Sequence, residues 1–119
     1  MAQILVIDDS FLARHSHGNI LREMGHEASE AANGQEGLEL MGRQNFDLIL
    51  VDLMMPEMDG ISFLKTLREQ RINIPAIVLS ADIQESKHQE CFSLGARAFL
   101  EKPVKKMKLV EVIDKILGA

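Results

Sequence analysis

The chain is predicted to fold as an α/β domain, a doubly wound five-stranded parallel sheet with five helices. Short aliphatic runs such as Ile4-Leu5-Val6-Ile7, Leu48-Ile49-Leu50-Val51 and Ala76-Ile77-Val78-Leu79 lack polar alternation, so they read as strands buried on both faces, the habit of parallel sheets. Segments with helical periodicity fall between them, as right-handed crossovers require. The strands also stop abruptly on polar residues, Asp8-Asp9, Asp52 and Ser80, with Lys102 following the short run Ala98-Phe99-Leu100.

Taken in order, the first run ends on Asp8-Asp9, and Ser10 can cap a helix carrying Ala13, Ile20, Leu21 and Met24 that stops at Gly25. Gly18 inside it costs about 1 kcal/mol against alanine. Glu27-Ala28-Ser29-Glu30-Ala31 is a weak strand, polar enough for a sheet edge. Asn33-Gly34 turns the chain into a short helix around Leu38 and Met41. After the central strand, Pro56 and Asp59-Gly60 break the chain, and Ile61, Leu64 and Leu67 mark a third helix ending before Ile74-Pro75. Beyond Ser80, Asp82 with Glu85 three residues later forms a capping pattern for a fourth helix. That helix holds mainly Cys91, Phe92 and Leu94 before Gly95, so its few buried contacts mark it as the element most able to move. Leu109, Val112, Ile113, Ile116 and Leu117 give the last helix a regular apolar stripe.

The 119 residues, 1–119, fit one domain without a Pro/Gly/Ser-rich linker. A net charge of −5 and 4% aromatic content argue against nucleic-acid binding, which needs cationic side chains and stacking platforms. No apolar run approaches a membrane span, and Met1-Ala2 leads directly into the first strand, so no leader is expected and the default compartment is the cytoplasm. Cys91 has no cysteine to pair with and reads as a small buried hydrophobe. Met54, Met55 and Met58 have no Cys or His beside them, so packing explains them better than a soft-metal site. His15 and His17 are two residues apart, off a common helix face, and His26 and His88 give no signal. Lys105, Lys106 and Lys108 crowd the start of the last helix, either as a solvated face or as a patch that docks an acidic partner.

In a parallel sheet all the carboxyl ends share one edge, so Asp8, Asp9, Asp52, Ser80 and Lys102 should converge. Two carboxylates about 4 Å apart repel by roughly 4 kcal/mol at an effective dielectric near 20, so three need compensation. Lys102 offers part of it, and an all-oxygen donor set calls for Mg²⁺. A hard cation, a lysine and a hydroxyl around a further carboxylate describe a phosphoryl-transfer site with Asp52 as nucleophile.

Asp8-Asp9, Asp52-Leu53-Met54-Met55-Pro56-Glu57-Met58-Asp59-Gly60, Ser80-Ala81 and Gly95-Ala96-Arg97-Ala98-Phe99-Leu100-Glu101-Lys102-Pro103 together resemble the receiver domain of bacterial response regulators, the CheY-like family. The likeness runs over essentially the whole chain and implies a stand-alone receiver with strand order 2-1-3-4-5. By this resemblance Asp52 accepts a phosphoryl group from a sensor histidine kinase, a phosphotransfer protein or a small phosphodonor. Asp9, Asp52 and the Met54 carbonyl hold Mg²⁺, while Asp8 acts through a metal-bound water. Lys102 contacts the phosphoryl group and Ser80 hydrogen-bonds it. Phe99 is the aromatic switch, Met54 and Asp82 tune acyl-phosphate lifetime, and Lys102-Pro103 is a cis peptide.

Ser80 stands where threonine is common, and Phe99 lacks a phenolic hydroxyl; a core aromatic and a two-state switch both fit it. The implied role is a monomer or weak dimer that signals to an output protein through the fourth helix, last strand and last helix, without turning over an external substrate. A receiver that only scaffolds, unphosphorylated, is the alternative. A flavodoxin-like electron carrier is a more distant one, since no Ser/Thr/Gly-rich phosphate loop follows the first strand.

Overall fold

A computed structural model of the chain describes residues 1–55, 57–82 and 84–118; the break expected at Pro56 lies outside them. Strands β1 (Gln3–Ile7), β2 (Glu27–Ala31), β3 (Leu48–Asp52), β4 (Ala76–Ser80) and β5 (Ala96–Glu101) alternate with helices α1 (Phe11–Glu23), α2 (Gly34–Met41), α3 (Gly60–Glu69), α4 (Glu85–Ser93) and α5 (Lys106–Ile116). All four strand pairings are parallel, in the order β2-β1-β3-β4-β5, the doubly wound arrangement expected.

The sheet separates two apolar layers. Leu5, Ile7, Ile49, Val51 and Val78 face α2, α3 and α4 through Leu38, Phe63, Leu67 and Cys91. Alternate residues Ile4, Val6, Leu48, Leu50, Ile77 and Leu79 face α1 and α5 through Leu21, Leu109 and Ile113. Central strands lined on both faces must be apolar at every position, which is why β3 and β4 read as unbroken runs. β2 lies at the edge, and its acidic residues Glu27 and Glu30 are consistent with that place. Glu30 lies within ion-pair distance of Arg14, His15 and Arg22, tying β2 to α1.

Helix starts follow the local sequence closely at three positions. Ser10, Asn33 and Asp59 are the N-caps of α1, α2 and α3, their side chains accepting from the backbone N–H of Ala13, Glu36 and Ser62. Gly25, φ 91°, follows the C-cap of α1 in the left-handed region. The start of α4 departs from expectation. Its N-cap is Gln84, which makes no side-chain capping bond, while Asp82 lies two residues earlier and accepts from the Gln84 N–H at 2.9 Å. Asp82 thus closes a local turn before the helix and does not cap it. Phe92 also departs, pointing outward and 47% exposed, so that among the residues of α4 only Cys91 is fully buried.

Among the described residues, no helix is long and apolar enough to cross a membrane.

Candidate functional site

Register places the polar strand ends together. Ile7 of β1 pairs with Val51, the residue before Asp52, while Asp52 pairs with Leu79 and Ser80 with Glu101, the residue before Lys102. Asp8, Asp52, Ser80 and Lys102 therefore meet on one rim, joined by Asp9. Asp8, Asp52 and Ser80 are buried, at 1%, 5% and 0% exposure, whereas Asp9 is open to solvent.

Asp8 is held on every side. Its Oδ1 accepts from the Ser10 N–H at 2.9 Å, its Oδ2 from Lys102 Nζ at 2.8 Å, and its carbonyl from the Arg14 guanidinium at 2.7 Å. Lys102 Nζ also lies 3.4 Å from Asp52 Oδ2, so one ammonium bridges two acids. Burial disfavours the charge of Lys102, but the hydrogen bond to Asp8 and the charge of Asp52 outweigh it and hold the group above the ordinary lysine value. The peptide that follows, Lys102-Pro103, is cis, as the sequence resemblance implies.

Of the two buried acids, Asp52 is the less satisfied. Its Oδ1 accepts a long bond, 3.3 Å, from the Met54 N–H. Burial first, then repulsion from Asp8, pushes its carboxyl up to about 6, against the pull of Lys102 and the Met54 amide. An acid in this state gains from any cation that joins it. One carboxylate oxygen from each of Asp8, Asp9 and Asp52 lies within 4.8 Å of the others, with no sulfur or imidazole in the set. Such an oxygen-only cluster fits a hard divalent cation such as Mg²⁺, which keeps several waters and takes few carboxylates. The contacts of the Asp52 oxygens, 3.3 and 3.4 Å, are longer than those of the Asp8 oxygens, 2.9 and 2.8 Å. The side chain of Met54 is exposed beside them.

Ser80 Oγ accepts from the Asp82 N–H at 2.9 Å, which leaves its own O–H proton free to donate across the rim. Sequence reasoning did not single out two features near the rim. His17 lies buried on α1 with Nδ1 unpartnered among the described residues, and burial lowers its basicity below the usual imidazole value, against the opposing charge of Asp8 and with a smaller contribution from Lys102. His88 stacks on Phe99, a contact between rings far apart in sequence that no local pattern announces. Of the basic residues at the start of α5, Lys106 is paired with Glu23 of α1, and the flanking Lys105 and Lys108 line an open groove of about 430 Å³ with Phe99 and Pro103.

Comparison with known proteins gives one consistent result. The family described as "Response regulator receiver domain" matches residues 4–114. The two-component response regulator ARR22 of Arabidopsis thaliana is 35% identical over 122 residues, covering 100% of this chain and 86% of that protein. The receiver domain of Francisella response regulator 1452 superposes with a TM-score of 0.92 at 34% identity, covering 98% of this chain and 97% of that one. The chemotaxis protein CheY4 of Vibrio cholerae gives a TM-score of 0.91 at 32% identity, covering 98% of each chain. Other curated relatives are longer, and the chain spans between 16% and 47% of their length.

Proposed function

The chain belongs to the response regulator receiver domain family of two-component systems, and from that premise we propose that residues 1–119 form one phosphorylation-controlled switch whose phosphoacceptor is Asp52. The observation that carries this is the state of Asp52: a carboxylate buried at the rim, raised in basicity, and surrounded by Asp8, Asp9 and Lys102.

An Asp52 carboxylate oxygen attacks the phosphorus of a phosphohistidine on a sensor kinase or phosphotransfer protein. The new P–O bond forms as the P–N bond to imidazole breaks, and the departing nitrogen keeps the electron pair. Lys102 Nζ, 3.4 Å from Asp52, is placed to reach the transferred oxygens, and the free Ser80 O–H can donate to one of them. Asp9 and Asp52 with the Met54 carbonyl would hold Mg²⁺, Asp8 acting through its water; when bound, the cation neutralises the phosphoryl oxygens and the acids together. Hydrolysis of the acyl phosphate later restores the carboxylate, with Met54 and Asp82 flanking the path of the attacking water.

Phosphorylation replaces one negative charge by nearly two and adds strong acceptors. Ser80, Phe99 and α4 shift in response, changing the α4, β5 and α5 surface offered to an output protein. The product of the reaction is the modified chain, so no external substrate is turned over. The chain acts in the cytoplasm as a monomer or weak dimer, without nucleic acid or membrane.

The test is intact mass after incubation with acetyl phosphate, with and without Mg²⁺. A single phosphoryl adduct that requires Mg²⁺ and is lost in Asp52→Asn is expected. A wild type that takes no adduct and does not bind beryllofluoride would overturn the proposal and leave the scaffold reading.

A further inference from the structure

Phe99 packs at the margin of the apolar layer that holds Cys91 and Ala96. It is half-buried on β5, and its ring lies face to face with the imidazole of His88 on α4, centroids 3.7 Å apart and planes inclined by 28°. The other aromatic pair among the described residues, Phe11 with His15, lies within α1, so the His88–Phe99 pair is the one that joins two elements. Among the described residues, His88 Nε2 is buried there without a hydrogen-bond partner. Two opposed effects therefore meet at His88: the ring faces attract, and the orphaned nitrogen penalises the same arrangement.

His88 is also connected to the phosphorylation rim through the backbone. Ser80 Oγ accepts from the Asp82 N–H at 2.9 Å, Asp82 Oδ1 from the Gln84 N–H at 2.9 Å, and the Gln84 carbonyl from the His88 N–H at 3.3 Å. A Ser80 hydroxyl that turns toward a phosphoryl group on Asp52 abandons the first of these bonds. The start of α4, lacking a side-chain cap, is then free to move, and it carries His88 with it.

We propose that His88 is the positioning residue of this switch: its imidazole holds Phe99 and α4 in the resting arrangement and parts from the ring when Asp52 is phosphorylated. The inference rests on the receiver reading above and adds to it the side chain that sets the resting bias. A histidine suits the task because its unpartnered nitrogen keeps the stack weak enough to release. A residue without that nitrogen, but with a ring of similar face, would hold more firmly.

The experiment compares wild type, His88→Ala and His88→Phe for the rate of adduct formation with acetyl phosphate at saturating Mg²⁺, and for the concentration of beryllofluoride giving half occupancy. Phosphorylation draws on the fraction of molecules already able to adopt the active arrangement, so removing the stack should raise the rate by about 3-fold or more. His88→Phe, which keeps a ring and loses the orphaned nitrogen, should lower it by a comparable factor. The beryllofluoride concentration for half occupancy should fall in His88→Ala and rise in His88→Phe. A purely structural role would depress both variants together, and circular dichroism melts identify a variant that has lost its fold. The proposal is overturned if the two rates match wild type or move in the same direction. It stands on His88→Phe against wild type alone if His88→Ala does not fold. Failure of the wild type itself to take an adduct defeats the receiver reading and this inference together, a result distinct from unchanged variant rates on a phosphorylatable protein.

Discussion

Gly60 and Asp52 meet backbone to backbone: a Cβ on Gly60 would stand 2.8 Å from the Asp52 carbonyl oxygen and 2.8 Å from the Leu53 Cα. Neither neighbour is a side-chain end that can swing aside, so the first residue of α3 must lack a side chain for the loop to fold back under Asp52. Gly60→Ala is expected to destabilise the protein by about 1–3 kcal/mol and to slow phosphoryl uptake beyond what the loss of stability explains, because the displaced segment carries Asp52. Urea unfolding alongside adduct formation at a temperature where both proteins are folded would check it; uptake at the wild-type rate would count against the contact.

Asp52 is expected to show a measurable acid linkage when divalent cations are chelated. Its carboxyl titrates near 6 when folded and near 3.8 when unperturbed. Between those values the folded protein binds more protons than the unfolded chain, so stability falls as pH rises through the window and the penalty is complete above it. Asp52→Asn removes that penalty and should be more stable than wild type by about 1–2 kcal/mol at neutral pH, allowing for solvent screening. The difference should vanish below about pH 4. Thermal melts with chelator at both pH values decide this, and identical neutral-pH melting points would refute it.

Lys102 exerts two opposite effects that one substitution can separate. Asp8 is 1% exposed and in Lys102→Met loses the cation paired with its carboxylate, which should cost about 3 kcal/mol in the metal-free protein. The same change removes a positive charge from the acid cluster, so Mg²⁺ should bind the variant more tightly than wild type. The increment in melting temperature on adding MgCl2 should therefore be larger for the variant, even though its baseline is lower. An equal or smaller increment would mean that Lys102 does not compete with the cation.

Glu57 adopts φ 67°, a left-handed conformation that costs a residue with a Cβ about 1–2 kcal/mol. Its side chain is exposed, in the loop between Asp52 and α3. Glu57→Gly should stabilise the protein by up to about 1 kcal/mol, less than the full strain because glycine also loosens the unfolded chain. Chemical denaturation reads the change directly; a loss of stability would show that the Glu57 side chain makes a contact worth more than its backbone strain.

The sequence was most informative where one local cause dominates. β3 and β4 are aliphatic because both of their faces are covered, and Ser10 accepts a bond from the Ala13 N–H as its place before α1 suggests. The convergence of Asp8, Asp52, Ser80 and Lys102 also follows from parallel topology alone. Asp82 failed as a cap because two local solutions compete for the same carboxylate, and the turn closing on Gln84 prevailed. Phe92, one of the few apolar residues of α4, points outward because the helix presents one narrow stripe to the sheet and Cys91 fills it. The pairing of His88 with Phe99 and the sharing of Lys102 between two acids depend on distances across the fold, which spacing along the chain does not encode.

Among the described residues, the two apolar layers form separate clusters on opposite faces of the sheet. The sheet acts as a partition: a methyl group lost at Ile113 leaves a void in one compartment, and a methyl lost at Leu67 leaves one in the other. Such defects should add without interacting, as distant and separately packed sites do. Charge at the rim has no such privacy. Asp8 and Asp52 stand where the wall ends, so a group added there borders both compartments at once, and a small event on one carboxylate is in a position to be felt on both sides of the sheet.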